Sequence, residues 1–174
     1  VTGVDLSGKM LKLARKNAPK AKKFIKKNVL DLDFPDDTFD LITSVYTIFH
    51  IDREKHEGIF RNFYRMLKKR EDWHILRCAM VLVRMANQNF TVLWSLMVKI
   101  FPISHYSKER YRKMLGQIGF KNISMEDMPL GGYTFTWVTA YKLTTFRGYS
   151  STKCNSIRSI DFPDFLKISP LISG

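Results

Sequence analysis

The chain has 174 residues, 45% hydrophobic and 13% aromatic, enough for a packed core and too apolar for a disordered tail. Its two cysteines, Cys78 and Cys154, fit neither a metal-binding spacing nor a disulfide framework, so a disulfide-stapled scaffold is excluded and a reducing, cytoplasmic setting is expected. The net charge of +13 admits attraction to nucleic acid or an anionic surface and says nothing of fold.

Residues 1–5 read as a strand ending on Asp5, with no secretory signal at the start. Ser7 is placed to cap the helix that follows, in which Met10, Leu11, Ala14 and Ala18 recur at helical spacing and Pro19 lies just past the end. The basic residues gather here, from Lys9 to Lys27, with no aromatic among them before Phe24. That pattern fits a solvated helix face better than a base-stacking platform. A short strand is expected around Phe24 to Val29. "DLDFPDDTFD" is a turn-rich loop in which Asp36 and Asp40 read as turn and strand-start residues. "FDLITSVYT" has the composition of a buried parallel strand. A helix with Asp52 as its cap should follow, burying Ile59, Phe60, Phe63, Met66 and Leu67.

Later in the chain, "SKERYRKMLGQIGF" predicts a helix capped by Ser107, with Tyr111, Met114, Leu115 and Ile118 on its buried stripe and Gly119 as a left-handed stop. "KNISMEDM" and "TFTWVTAYK" read as strands joined by a turn around Gly131 and Gly132. That connection is too short for a crossover, so the pair should be antiparallel. The whole rhythm is α/β: a Rossmann-like sheet of parallel strands closed by an antiparallel terminal pair.

Four blocks carry a family resemblance: "GVDLSGKMLKLA", "NVLDLDFPDDTFDLITSVYTIFHI", "IFRNFYRMLKK" and "YSKERYRKMLGQIGF…TFTWVTAYK". Together, over residues 1–70 and 103–142, the chain resembles a class I S-adenosylmethionine-dependent methyltransferase of the small-molecule type. The resemblance implies S-adenosylmethionine as cofactor and a small-molecule acceptor. A carboxylate at the end of the family's second strand accepts from both ribose hydroxyls, the role implied for Asp5 and supported by Leu6. Asn28 and Val29 stand where similar enzymes hold adenine. The usual residue at Asn28 is an aspartate; Asn28 still offers a side-chain oxygen, and Val29 its backbone N–H. Met10 is a candidate to pack on the nucleoside, or else simply core.

Tyr46 and Thr47 close the fourth strand of that pattern, at the carboxyl edge where ligands sit. Tyr46 or Phe49 is placed to face a sulfonium, and His50 is the candidate general base. Asp5 has only four residues before it, whereas in dinucleotide-binding units the acid follows the glycine motif by about 20. No G-x-G occurs anywhere in the chain. The expectation is a methyltransferase-fold sheet lacking its first strand and glycine loop, with impaired methyl transfer.

Residues 71–101 interrupt this pattern, giving a mixed apolar tract where a strand and a polar loop belong. A reading-frame slip is one explanation. Back-translation forces Ala across Trp73–His74 and Gly across Met80–Val81, Met85–Ala86 and Met97–Val98. The shifted frame can then read as a strand with a polar, glycine-rich loop, rejoining at Pro102. A hydrophobic helix docked on the sheet is the alternative; the uncharged run from Met85 to Val98 is too short to span a membrane. The expected organisation is a partial methyltransferase domain over residues 1–142 and a tail of uncertain structure over 143–174. The reading from a different class is a non-catalytic basic RNA-binding module, marked by steep salt dependence.

Overall fold

The junction between the first strand and the first helix is set by two short polar side chains, Asp5 and Ser7. The computed structural model describes residues 1–21, 23–45, 47–68, 74–80, 106–130 and 133–143. These fall into two units, Val1–Asp31 and Leu32–Thr144. In the first, strand β1 (Thr2–Asp5) pairs in parallel with β2 (Lys23–Lys26), Asp5 opposite Lys26. Gly3 lies opposite Phe24, and a Cβ at Gly3 would come within 2.8 Å of that ring. Helix α1 (Gly8–Asn17) crosses between them. Ser7 caps it as expected, its hydroxyl accepting from the Met10 N–H at 3.3 Å. Arg15 and Lys16 occupy its last turn, where cations suit the helix dipole.

Two expectations are corrected in this unit. Of the α1 stripe only Leu11 is buried, and Met10 is 49% exposed, so Met10 is not a core residue. Strand β2 stops at Lys26, short of Val29, which opens a 3-10 turn over Val29–Asp31. The cause is local: the Asn28 side chain accepts from the Leu30 N–H at 3.0 Å and diverts the backbone from the ladder.

The second unit is a four-stranded sheet in the order β3-β4-β6-β5: β3 (Leu41–Val45), β4 (His74–Met80), β5 (Lys121–Leu130) and β6 (Tyr133–Lys142). Strands β3 and β4 are parallel, while β6 runs antiparallel to both β4 and β5, the terminal pair that the short connection predicted. Strand β4 comes from the tract expected to break the pattern; residues 81–101 lie outside the described residues, as does the tail beyond Leu143. Strand β3 departs from its expected burial. Leu41 is 46% and Val45 36% exposed while Ser44 between them is buried, because alternate side chains face opposite sides of the sheet and the side carrying Leu41, Thr43 and Val45 is the exposed one.

Helix α2 (His56–Met66) buries Ile59, Phe60, Phe63 and Met66, with Leu67 just past its end, as the spacing predicted. Each such side chain contributes about 1.5–3 kcal/mol on burial. Asp52 does not cap this helix. Its carboxylate pairs with Lys55 at 3.0 Å, and a 3-10 turn (Arg53–Lys55) precedes the first helical residue. Helix α3 (Lys108–Ile118) is capped by Ser107, whose hydroxyl accepts from the Arg110 N–H at 3.3 Å. The Glu109 carboxyl in its first turn is held below the usual carboxylate range, first by hydrogen bonding to its own backbone and then by the Ser107 hydroxyl. Gly119 ends the helix at φ 118°, and Tyr64 Oη lies 2.9 Å from where a Cβ would stand. Tyr111, Met114 and Leu115 pack from α3; Phe60 and Tyr111 meet edge to face with ring centroids 6.2 Å apart.

The "FPDDTFD" loop has a structural task. The N–H groups of Asp37, Thr38 and Phe39 donate to the Arg65 and Met66 carbonyls at 2.8–3.1 Å, so the loop covers the open end of α2. Asp36 and Asp40 are indeed tied to this packing: Arg65 pairs with Asp36 and Lys68 with Asp40.

Candidate functional site

Because β1 and β2 are parallel and in register, their carboxyl ends emerge side by side. The last rung is the Lys27 N–H donating to the Asp5 carbonyl at 3.2 Å. Each strand then stops in the same way. Asp5 Oδ1 accepts from the N–H two residues on, Ser7, at 2.6 Å, and Asn28 Oδ1 accepts from the N–H two residues on, Leu30, at 3.0 Å. These turns fix both side chains at the edge where ligands of α/β sheets bind.

The groups left over define what the edge can hold. Asp5 Oδ2 has no protein donor among the described residues and Asn28 Nδ2 no protein acceptor, and the Val29 N–H is likewise unused. Three apolar side chains stand uncovered in the adjoining turns: Leu6 at 61%, Met10 at 49% and Leu30 at 40% exposed. A carboxylate acceptor for a diol, a backbone donor for a ring nitrogen and apolar surface for a flat base are the requirements of a nucleoside. Asp5, Leu6, Met10, Asn28 and Val29, all expected from the sequence, belong to this one unit. The cations of α1 sit at exposed positions, and Arg15 lies over the Phe24 ring, 5.6 Å from its centroid.

The remaining candidates follow β3 in the second unit. Tyr46 lies outside the described residues. Thr47 is exposed and its hydroxyl donates to the Val45 carbonyl at 3.2 Å, without capping the turn Ile48–His50 that it precedes. His50 is exposed, its ring 4.1 Å from that of Phe49 between centroids. Among the described residues no three His, Cys, Asp or Glu side chains gather to hold a metal, and no helix is long and apolar enough to cross a membrane.

The histidine that the sequence reading passed over is His56. It is fully buried, with Nε2 2.8 Å from the Ile51 carbonyl and Nδ1 2.8 Å from Tyr111 Oη. A carbonyl can only accept, so Nε2 carries the proton and donates to Ile51, and in the neutral ring Nδ1 accepts from the tyrosine hydroxyl. Its spacing was the available signal: His56 lies three and four residues before Ile59 and Phe60, on the same stripe. Tyr111→Phe should therefore cost about 1–2 kcal/mol in a urea denaturation, since it removes the hydroxyl that donates to a buried ring nitrogen; an unchanged midpoint would show that the hydrogen bond adds nothing.

Known proteins share part of this sequence and most of this fold. Residues 1–70 match the family model described as methyltransferase domain. Phosphoethanolamine N-methyltransferase 3 of Arabidopsis thaliana is 39% identical over 71 residues, covering 39% of this chain and 14% of that protein. Among solved structures, a SAM-dependent methyltransferase of Methanosarcina mazei superposes with TM-score 0.60 at 17% identity, covering 83% of this chain and 82% of that one. Phosphoethanolamine N-methyltransferase 2 of Haemonchus contortus, in complex with phosphomonomethylethanolamine and S-adenosylhomocysteine, gives TM-score 0.63 at 17% identity, covering 83% of this chain and 43% of that one. The chain thus spans about one seventh of the curated relative that it matches. It shares a methyltransferase-domain sequence match over residues 1–70 and, over most of its length, the Rossmann-like fold of S-adenosylmethionine-dependent methyltransferases.

Proposed function

We propose that the chain binds S-adenosylmethionine along the Asp5–Asn28 edge and serves methyl transfer to a small amine-bearing acceptor. The observation that carries the reading is Asp5: one carboxylate oxygen is fixed by the Ser7 N–H at 2.6 Å, which holds the other in place to accept from a ribose diol. When bound, the cofactor supplies an electrophilic methyl group on a sulfonium. The residues present suit it. Val29 offers a backbone donor, and Leu6, Met10 and Leu30 offer the apolar surface that the nucleoside would cover. Such a reaction needs positioning and exclusion of water more than covalent help.

An amine that gains a methyl group must lose a proton, and His50, exposed and next to Phe49, is the proposed acceptor of that proton. Phosphoethanolamine and its monomethyl form are the first acceptors to try, because the Arabidopsis relative and the Haemonchus structure carry those names. Saturation-transfer NMR with S-adenosylhomocysteine tests the cofactor reading and registers weak binders. Transfer to ribose and adenine protons, displaced by S-adenosylmethionine, is expected; absence of any transfer at millimolar ligand would end the proposal. A labelled-methyl assay over the two phosphobases tests the acceptor.

A further inference from the structure

We propose that α1 presents a lysine face that docks the chain on bilayers carrying anionic phospholipid. The two units use their cations differently. In the second unit most described cations pair with a carboxylate, from Arg53 with Glu54 to Lys142 with Asp37. In the first, the described cations from Lys9 to Lys27 are all exposed, and none has a carboxylate partner among the described residues. Asp5 and Asp31 are the only acids between Val1 and Asp31. On α1 itself, Lys9, Lys12, Arg15 and Lys16 fall within about a third of the helix circumference, and buried Leu11 lies outside that arc. Lys20 follows in the turn after the helix. This pattern works against the helix. No acid stands in its first turn, Lys9 sits near the positive end of the dipole, and Lys12 and Lys16 repel at a spacing of four. Folding does not account for such a cluster; an anionic partner does.

The side chains point to the chemistry of that partner. Arg15 is the only guanidinium between Val1 and Asp31, and it is already engaged. It lies over the Phe24 ring, 5.6 Å from the centroid, and donates to the Phe24 carbonyl at 3.5 Å. Phe24 is the only aromatic residue of that stretch and is half-buried. The face therefore lacks a free planar fork to read base edges, and it lacks an open ring on which a base could stack. What it keeps are ammonium groups on long flexible stems. These are point charges without directional demands, and they suit a fluid layer of anionic headgroups that adjusts to the protein. No helix among the described residues is long and apolar enough to cross a membrane; the proposed contact is peripheral and held by charge.

Flotation of the full chain with lipid vesicles is the test. Vesicles of phosphatidylcholine alone are compared with vesicles in which about a third of the lipid is phosphatidylserine. Binding to the second kind only is expected at about 0.1 M salt, and its loss at about 0.5 M, where charges are screened over a shorter distance. A lysine near an anionic bilayer is worth about fivefold in affinity. Lys12→Gln combined with Lys16→Gln should therefore weaken binding about 20-fold. Helical circular dichroism should stay unchanged, since glutamine is nearly as good a helix former as lysine. Lys113→Gln combined with Lys121→Gln removes equal charge from exposed positions of the second unit and should change binding by less than about threefold. Equal losses in the two double variants would show net charge at work and overturn the assignment to α1. Absence of binding to the phosphatidylserine vesicles at low salt, or equal binding to both kinds of vesicle, would overturn the proposal outright. Random-sequence RNA, single-stranded or duplex, is then added at matched charge. Retention on the vesicles supports the bilayer as partner; displacement assigns the face to nucleic acid and overturns that choice.

Discussion

Asp5→Ala is expected to weaken S-adenosylhomocysteine binding by about 100-fold, below detection in the saturation-transfer experiment. A carboxylate that accepts from both hydroxyls of a ribose makes two charge-assisted hydrogen bonds, each about 1.5–3 kcal/mol, and about 3 kcal/mol is a factor of 100 or more in affinity. Alanine also removes the bond to the Ser7 N–H at 2.6 Å, so loss of binding alone would not separate recognition from support of the strand–helix turn. Asp5→Asn does. Its amide oxygen keeps the Ser7 bond, since the N–H facing it demands an acceptor, and only the outward group changes from carboxylate oxygen to NH2. This variant should keep its helical circular dichroism and its melting temperature and still lose most of its affinity. Native affinity in Asp5→Asn would show that no diol is read at this position, and the proposed function would have lost its principal support.

The two strand ends show what the sequence could and could not reveal about this site. Asp5 was legible because it closes an apolar run and precedes a serine that caps a helix, and the structure gives it that position. Asn28 was legible as a place, through the family resemblance, but not as a chemical group. Which of its two heteroatoms faces the turn depends on the Leu30 N–H, and residues 24–29 read locally as a strand that never needed such a turn. Met10 was ambiguous between core and ligand surface, and its 49% exposure decides against core. The residues after β3 were placed by pattern, and there Thr47 and His50 are exposed.

The fold divided along the same line between local and long-range information. Ser7, Ser107 and Gly119 act within a turn of their own helices, and each does what its residue type dictates. The stripe of α2 follows from spacing, and so does that of α3 except for its last expected member, Ile118, which is only half-buried. Asp52 misled because an acid before a helical pattern has two local options, capping or pairing, and Lys55 three residues on provides the second. The exposure of Leu41 and Val45 was illegible for another reason: a strand's composition does not state which of its two faces is covered, and in β3 the face of Leu41, Thr43 and Val45 is exposed. Lys142 was hidden most deeply, since its partners lie 75, 78 and 105 residues away. Its signal was the period of two that places it on the face of Thr136, Val138 and Ala140, all buried.

That lysine carries the largest expected effect on stability. Helix α2 ends with carbonyls that no further turn can satisfy. The Phe63 carbonyl accepts from the Leu67 N–H, those of Arg65 and Met66 from the aspartate-rich loop, and that leaves Tyr64 and, beyond the helix, Leu67. The Lys142 ammonium, only 3% exposed, donates to both, at 2.8 and 2.5 Å, and to Asp37 Oδ1 at 3.2 Å. It also sits 4.8 Å from the centroid of the Tyr64 ring. A cation is favoured at this negative end of the helix dipole and against an aromatic face. Lys142→Met keeps the apolar stem and the volume and removes only the charge and its donors. Two carbonyls are then left buried without a partner, each costing about 1–3 kcal/mol; the relief of no longer burying an ammonium offsets part of that. The expected net loss is about 3 kcal/mol, seen as a lower urea midpoint at unchanged slope. Lys142→Arg should not restore it, because a planar fork cannot reproduce three diverging donors on one nitrogen. A loss below about 1 kcal/mol in Lys142→Met would mean that water replaces the ammonium at the carbonyls, and the closure of α2 would then rest on the loop alone.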